Sequence, residues 1–390
     1  MADWLKRLLT TLILTCFIPA FAGTPMLRID PGMHAAPVLR VAVDTAGQHA
    51  VTGSQDGTVR VWSLADGTAR RVLRIPLDGA TSREVTAVAI APVGDVVAVA
   101  SAGARDSHLY LFDLQTGVIT RHQALGATHV ARLRYSPDGS QLAGVGHSGL
   151  TIWNSKDLRS LSHATGYRST ALSWEQDGRL LVAGSDGRIH RYDQRGNEVT
   201  AVTLESGKQP HSIDVSPDGR LIAVGFLDSP NVDVRSTGDL GYLFRPFVST
   251  DVRPEDLANV AWAADGKSLF AGHTFLHGKD QFVVMRYYLD GKRFFYDSWT
   301  AGTGNSILDL VPLADGGLLY GSADPAIVVT DAHDKASLAP RRGHCRSSRC
   351  LSRLPRFREW TRCDLLLHRR WPRSRAVFRR QPHGTTRFRT

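Results

Sequence analysis

The sequence predicts an all-β protein built as a β-propeller. Two observations predict this fold: a turn ending in glycine recurs along the chain, and short strands flank each copy. The turn glycines are Gly47, Gly94, Gly139, Gly178, Gly219, Gly266 and Gly316, and they lie 39 to 50 residues apart. A repeat of this length that contains four short strands is typical of a propeller blade. Seven blades are therefore recognisable.

The third blade shows how one repeat is built. "ARLRYS" (131–136) alternates or runs apolar before the turn "SPDG", and "QLAGVG" (141–146) follows it. Pro-Asp-Gly presets the geometry of a tight hairpin. A third strand, "LTIWN" (150–154), comes next, and a fourth precedes each following copy. No helical periodicity lies between these runs, so every element is predicted to be a strand.

The first blade, "GMHAAPVLRVAVDTAGQHAVTGSQDGTVRVWSL", resembles the WD40 (WD-repeat) family. The resemblance implies a buried hydrogen-bonded tetrad of His34, Ser54, Asp56 and Trp62. A buried carboxylate needs donors and a buried indole N–H needs an acceptor, so the set is chemically consistent. The other blades depart from the pattern at one or more of these positions. The resemblance covers residues 25–335, where we place the propeller domain.

In WD-repeat propellers the N-terminal segment supplies the outer strand of the last blade. The resemblance therefore implies that "PMLRID" (Pro25–Asp30) closes the ring. A ring left open would expose strand edges to aggregation. Whether this segment pairs with the seventh blade or with an eighth stays open at this point.

The N-terminus predicts export. Lys6 and Arg7 precede an apolar run from Leu8 to Phe21, which ends in an A-x-A cleavage site at Ala22. This pattern is typical of a signal peptide over residues 1–22, and the alternative is an uncleaved membrane anchor. We expect a periplasmic or extracellular bacterial protein with no membrane segment in its mature chain.

The net charge of +10 is concentrated at the C-terminus. Residues 344–390 contain fourteen arginines, no lysine and two acids, whereas residues 1–343 carry a charge of −2. The body of the protein therefore gives no reason to expect a polyanionic partner.

Three interpretations of the segment 344–390 compete. Its arginines and tryptophans suit a nucleic-acid arm, but lysine is missing and an exported protein meets little nucleic acid. Cys345, Cys350 and Cys363 with a histidine suit a metal site, but no second short ligand pair completes it. A frameshift explains the composition best. Shifting Glu359-Trp360-Thr361 by one base places a glycine at position 360, at blade spacing from Gly316. We therefore predict a non-native, disordered tail and an eighth blade in an intact gene.

No catalytic motif is present, and we expect no cofactor and no metal. His273 and His277 are interpreted as ordinary loop residues of the sixth blade. The sequence favours a monomeric, non-catalytic scaffold that binds a protein partner through its loops, like the bacterial WD-repeat proteins that it resembles. The candidate contact residues are Arg83, Arg105, Arg168, Gln209, Arg253, Phe275 and Trp299. The alternative is a ligand-binding or hydrolytic propeller that uses the central channel, which would need carboxylates or histidines clustered in that channel.

Overall fold

The structure is a computed structural model. It describes residues 32–77, 83–104, 106–164, 166–246, 252–253, 257–274, 276–277, 281–290, 293–331 and 336–338. The chain divides into two compact units, Met1–Met33 and His34–Thr390. The predicted signal peptide, Pro25–Asp30 and the arginine-rich segment 344–390 lie outside the described residues.

Seven antiparallel sheets follow one another along the second unit, and all regular structure in its described residues is β-strand. The first blade contains β1 (Val38–Val43), β2 (His49–Ser54), β3 (Thr58–Ser63) and β4 (Ala69–Arg74). The second contains β5 (Glu84–Ile90), β6 (Val96–Ala102), β7 (Ser107–Asp113) and β8 (Ile119–Gly126). The third contains β9 (Val130–Tyr135), β10 (Gln141–Gly146), β11 (Gly149–Asn154) and β12 (Ser160–Ala164).

The remaining blades repeat this order, with one enlargement. The fourth contains β13 (Ser169–Trp174), β14 (Leu180–Gly184), β15 (Arg188–Tyr192) and β16 (Glu198–Thr203). The fifth contains β17 (Pro210–Val215), β18 (Leu221–Phe226), β19 (Val232–Ser236) and β20 (Tyr242–Phe244). The sixth contains β21 (Val252–Arg253), β22 (Asn259–Trp262), β23 (Ser268–Gly272), β24 (Leu276–His277), β25 (Gln281–Asp290) and β26 (Arg293–Thr300). The seventh contains β27 (Ile307–Pro312), β28 (Leu318–Ser322), β29 (Ile327–Thr330) and β30 (Ala336–Leu338).

The predicted all-β, seven-bladed propeller is therefore confirmed. The seven turn glycines that defined the repeat all have a positive φ, between +65° at Gly47 and +86° at Gly316. Only glycine adopts this conformation at no steric cost, which is why the residue recurs at the tip of each hairpin.

The ring closes between the seventh and the first blade. The first strand of each blade packs against that of the next, and β27 packs against β1. Asp309 on β27 accepts a hydrogen bond from the Val41 N–H on β1, at 3.0 Å. Val38 and Trp62 of blade one share a buried apolar cluster with Leu319 of blade seven. The seven blades of this chain therefore pack into a ring without an eighth. An eighth blade in an intact gene stays a prediction.

The outer strand of the seventh blade also differs from expectation. β30 pairs with β29 and occupies the place that we expected Pro25–Asp30 to fill. The chain that follows β29 supplies this strand locally, so ring closure is carried by contacts between blades one and seven. An out-of-frame origin of residues 344–390 stays a prediction.

Blade six is larger than the repeat pattern predicts. Its ten-residue strand β25 pairs with β23 and β26 and also with the short strand β24, which in turn pairs with β21. His277 lies in β24, and not in a loop as the spacing suggested. The insertion extends this blade beyond the four-strand unit of the other six.

Candidate functional site

One face of the ring carries the loops that join each blade to the next and the turns between the second and third strands of each blade. We call it the loop face. Backbone hydrogen bonds join the two sets: Gln55 N–H donates to Pro37 O at 3.0 Å, and Ser185 N–H to Arg168 O at 2.8 Å. Equivalent bonds occur in blades five and seven, so in these four blades the turn is tied to the loop before it and the loop face is held by the scaffold.

A hydrogen-bonded chain of side chains supports this face in blade one. His34 Nδ1 lies 3.1 Å from Asp56 Oδ2, and His34 Nε2 lies 2.8 Å from Thr52 Oγ1. Trp62 Nε1 donates to the same Thr52 oxygen at 2.9 Å. One arrangement of protons satisfies the chain: His34 Nδ1–H donates to Asp56, and the Thr52 hydroxyl donates to His34 Nε2. The chain therefore links strands β2 and β3 to the loop before β1.

The hydroxyl in this series of hydrogen bonds belongs to Thr52, and not to Ser54 as the family resemblance implied. Ser54 donates to Ala36 O at 3.0 Å and accepts the Asp56 N–H at 3.1 Å, so it binds backbone only. The two residues share a face of β2 because side chains alternate along a strand. Thr52 lies deeper in the blade, beside the Trp62 indole.

Asp56 also binds the backbone of the turn and of the preceding loop. Its oxygens accept Ala35 N–H at 2.9 Å and the Thr58 hydroxyl at 2.6 Å. Burial alone would raise the pKa of Asp56, but the hydrogen bonds from His34, Thr58 and Ala35 together lower it below its usual value. The carboxylate is therefore ionised and fully used in holding the turn.

Replacing Asp56 by alanine is expected to lower the free energy of unfolding by about 1–3 kcal/mol, because buried His34 loses its acceptor. Thermal or denaturant unfolding measures this loss. Asp95→Ala, which removes an exposed carboxylate from a turn on the opposite face, is the control and should change stability little. Equal stability of both variants would show that the hydrogen bonds from Asp56 through His34 and Thr52 to Trp62 do not form.

Other blades bind the equivalent turn aspartate differently. In blade two, Arg83 makes two hydrogen bonds to Asp106, at 3.0 and 2.8 Å, and its side chain is 1% exposed. In blade five, the Lys208 and Gln209 N–H groups donate to Asp228 at 2.9 and 3.0 Å. Arg83 therefore takes the structural place that His34 has in blade one. Its expected role as a free contact residue is wrong, because its guanidinium is buried and paired.

Two of the expected contact residues remain exposed on the loop face, namely Arg168 and Gln209. Trp299 lies within β26 and not in a loop; it is partly buried and packs edge-on against Phe270 of the blade-six core, with ring centroids 6.1 Å apart. Arg105 and Phe275 lie outside the described residues. Arg253 lies in β21, where its backbone pairs with Leu276, and its side chain is outside the described set.

Side chains of the first strands cross the central channel. Arg132 on β9 lies 3.0 Å from Asp309 on β27 and 3.2 Å from the Asn259 side-chain oxygen on β22. Arg40 on β1 donates from Nε to Ala131 O at 2.9 Å. These contacts connect blades one, three, six and seven. Arg40 and Arg132 thus lie beside the Asp309 carboxylate, and a second pair, Arg134 on β9 and Asp214 on β17, lies 3.8 Å apart further along the same innermost strands.

Four histidines lie where the loop face meets the channel. The rings of His129 and His147 are 5.1 Å apart, and those of His211 and His273 are 5.8 Å apart. Burial is the main cause that lowers the pKa of His211 well below its usual value, and the charges of Arg132, Arg40, His273 and Arg168 add to it. Burial and His147 likewise lower the pKa of His129. Their surroundings thus favour the neutral form of two imidazoles at the channel mouth, those of His129 and His211.

Sequence reasoning missed these channel residues, although one signal was present. Arg40 and Arg132 both stand two residues after the first buried valine of an innermost strand, in "VLR" and "VAR". Channel-facing positions of equivalent strands recur at the same place in each repeat, so a charge there marks the channel. In the described residues, no group of three or more His, Cys, Asp or Glu side chains is arranged to hold a metal ion.

Comparison with known proteins identifies the family of the repeats. Residues 31–63 and 155–193 match the model of the WD domain, G-beta repeat. The first match contains the whole chain of contacts from His34 to Trp62. The chain is a β-propeller that contains WD40 repeats.

Two curated relatives are similar to parts of this WD40 propeller. Protein ROOT INITIATION DEFECTIVE 3 of Arabidopsis thaliana is 31% identical over 186 residues, which are 45% of this chain and 40% of that protein. Small ribosomal subunit protein RACK1y of Oryza sativa subsp. japonica is 32% identical over 158 residues, 37% of this chain and 44% of that protein. The WD40 propeller thus spans less than half the length of these relatives.

A solved structure shares the fold. The β-propeller domain of Myceliophteria thermophila Cps50 (Swd1) matches with a TM-score of 0.61 over 78% of this chain and 99% of that domain. Its sequence identity of 16% shows the fold alone. Among the residues that the structure describes, no helix is long and apolar enough to cross a membrane.

Proposed function

We propose that this WD40 propeller is an exported, monomeric scaffold that binds a protein partner through its loop face and catalyses no reaction. The observation that carries the proposal is the rigid loop face, on which Arg168 and Gln209 are exposed while the neighbouring backbone is held by turn aspartates. Arginine is enriched among residues that anchor protein interfaces. A preorganised surface also loses little conformational entropy when it binds.

The comparisons support the scaffold in general terms. RACK1y is named as a protein of the small ribosomal subunit, and this chain is similar to part of it. Export is supported by the charged and apolar N-terminal pattern up to Ala22. The lack of a recognisable catalytic motif in the sequence supports binding without chemistry.

Capture of a partner by the full chain tests the proposal. The exported protein is tagged, incubated with proteins of the compartment that contains it, and its bound proteins are identified by mass spectrometry. We expect a specific partner that the double variant Arg168→Ala, Gln209→Ala loses at least about fivefold, which corresponds to about 1 kcal/mol.

Arg159→Ala is the matched control, because Arg159 is exposed in a turn on the opposite face. It should retain the partner. Capture of no specific protein, or equal capture by all three forms, would refute the loop face as the binding surface. Circular dichroism of each variant establishes that the fold is intact.

A further inference from the structure

We infer that the mouth of the central channel on the loop face is a binding site for carboxylate groups. The site consists of Arg40, Arg132 and Arg168 with the four histidines His129, His147, His211 and His273. This inference deepens the proposed function and rests on it where the carboxylate belongs to a protein partner. Carboxylates have two sources, acidic side chains of a peptide and small free dicarboxylates, and the experiment below separates them.

The first reason is the balance of charge in the channel. Arg40 and Arg132 are close enough for the positive charge of each to act on the other, because Arg40 binds the carbonyl of Ala131, the neighbour of Arg132. Burial and Arg132 lower the pKa of Arg40 to about 9, and Asp309 partly offsets this. Arg40 still carries its charge at neutral pH. A bound anion would relieve the repulsion between these guanidinium groups.

The second reason is that the acids nearby do not neutralise this set. Asp309 is shared between the Arg132 side chain and the Val41 N–H. Glu84, at the start of β5, acts on His129. Within the described residues, these two carboxylates act on a set that contains three arginines, of which Arg168 is exposed on the loop face.

The third reason is unused hydrogen-bonding capacity. Among the described residues, the buried atoms Arg132 Nε and His129 Nδ1 have no hydrogen-bond partner. Buried polar groups are normally paired, and an arginine donor is best satisfied by a carboxylate or similar anion. Guanidinium and imidazolium groups together form the donor set that recognises carboxylates.

The site should bind protons together with the anion. The groups around His211 are Arg40, Arg132, Arg168 and His273, and those around His129 are His147, Glu84, Arg40 and Arg168. All except Glu84 are basic, and burial together with these basic neighbours lowers the pKa of both imidazoles and favours their neutral form in the free protein. A carboxylate in their midst favours the charged form of both histidines, so protons are taken up on binding. Binding therefore tightens as the pH falls from 8 towards 5.5.

Fluorescence anisotropy with the full chain tests the inference. The probes are a labelled hexaglutamate peptide and a hexaglutamine peptide, both acetylated and amidated so that only side chains differ. Unlabelled succinate is the free dicarboxylate: it competes with the labelled peptide, and its own binding is measured by isothermal titration calorimetry. We expect hexaglutamate to bind and hexaglutamine not to bind, with tighter binding at pH 5.5 than at pH 8 and weaker binding at high salt.

Two variants connect binding to the site. Arg168→Ala should weaken binding about three- to fivefold, since a partly exposed charge pair contributes up to about 1 kcal/mol. His211→Asn should weaken binding at pH 5.5 and flatten the pH dependence, because it removes one of the imidazoles that take up a proton with the anion. Arg159→Ala, on the opposite face, should bind like the wild type.

The outcomes separate the sources and the two proposals. Binding of hexaglutamate supports a peptide source, and binding of succinate alone supports the carboxylate site with a free ligand. Binding of neither probe, equal binding of hexaglutamine, or equal loss in Arg159→Ala and Arg168→Ala overturns the inference. If the carboxylate probes fail but a partner still depends on Arg168 and Gln209, the scaffold function stands without this site.

Discussion

Replacing Asp309 by alanine is expected to lower the free energy of unfolding by about 3 kcal/mol. The substitution removes the partner of Arg132 across the channel and the acceptor of the Val41 N–H, which joins the last blade to the first. The side chains of Arg132 and Asp309 are only 13% and 14% exposed, so solvent replaces these contacts poorly. Removing one member of a buried pair costs several kcal/mol because the other charge is left unpaired.

Chemical denaturation of Asp309→Ala and Asp309→Asn measures this loss. The asparagine variant keeps an acceptor for Val41 N–H and should lose less than the alanine variant. Asp297→Ala, an exposed aspartate on β26, is the control and should unfold like the wild type. Wild-type stability of Asp309→Ala would mean that the ring does not depend on the closing contact.

Replacing Gly146 by alanine is expected to destabilise the protein by about 3 kcal/mol or more, because backbone atoms occupy the space that a side chain needs. A Cβ at this position would lie 1.8 Å from the His129 carbonyl oxygen and 2.9 Å from its carbon. Glycine within a strand often marks such a close approach of a second backbone. The strain would also displace His129, so carboxylate binding at the channel mouth should weaken together with stability.

Gly238→Ala provides the matched control. Gly238 lies in an exposed turn, and the nearest atom to an added Cβ is the Ser236 hydroxyl oxygen at 3.4 Å. Thermal unfolding of both variants should show a large shift for Gly146→Ala and a small one for Gly238→Ala. Similar unfolding temperatures would show that the backbones of β10 and the loop before β9 are not in contact.

The first blade shows where sequence reasoning succeeded and where it stopped. The spacing of His34, Asp56 and Trp62 led to residues that do share one set of contacts. The linking hydroxyl was assigned to Ser54, but Thr52 holds that place. Both residues point to the same side of β2, and only the depth of the Trp62 ring in the blade selects between them.

Arg83 and Trp299 failed as expected contact residues for a related reason. Both residue types favour interfaces when they are exposed. In this protein a carboxylate 23 positions away pairs with Arg83, and the packing of blade six against its neighbour partly covers Trp299. Exposure depends on these distant partners, and the local sequence does not contain them.

By itself the sequence determined the all-β architecture, the seven repeats and the glycines at their turns. Each of these features depends on a pattern of residues within about fifty consecutive positions. The tertiary structure alone decided that seven blades close the ring, since Val41 and Asp309 meet although 268 positions separate them. It also decided that the basic groups of several blades converge on one channel mouth. A propeller places the same position of every repeat around a common axis, and that placement appears only when the ring is complete.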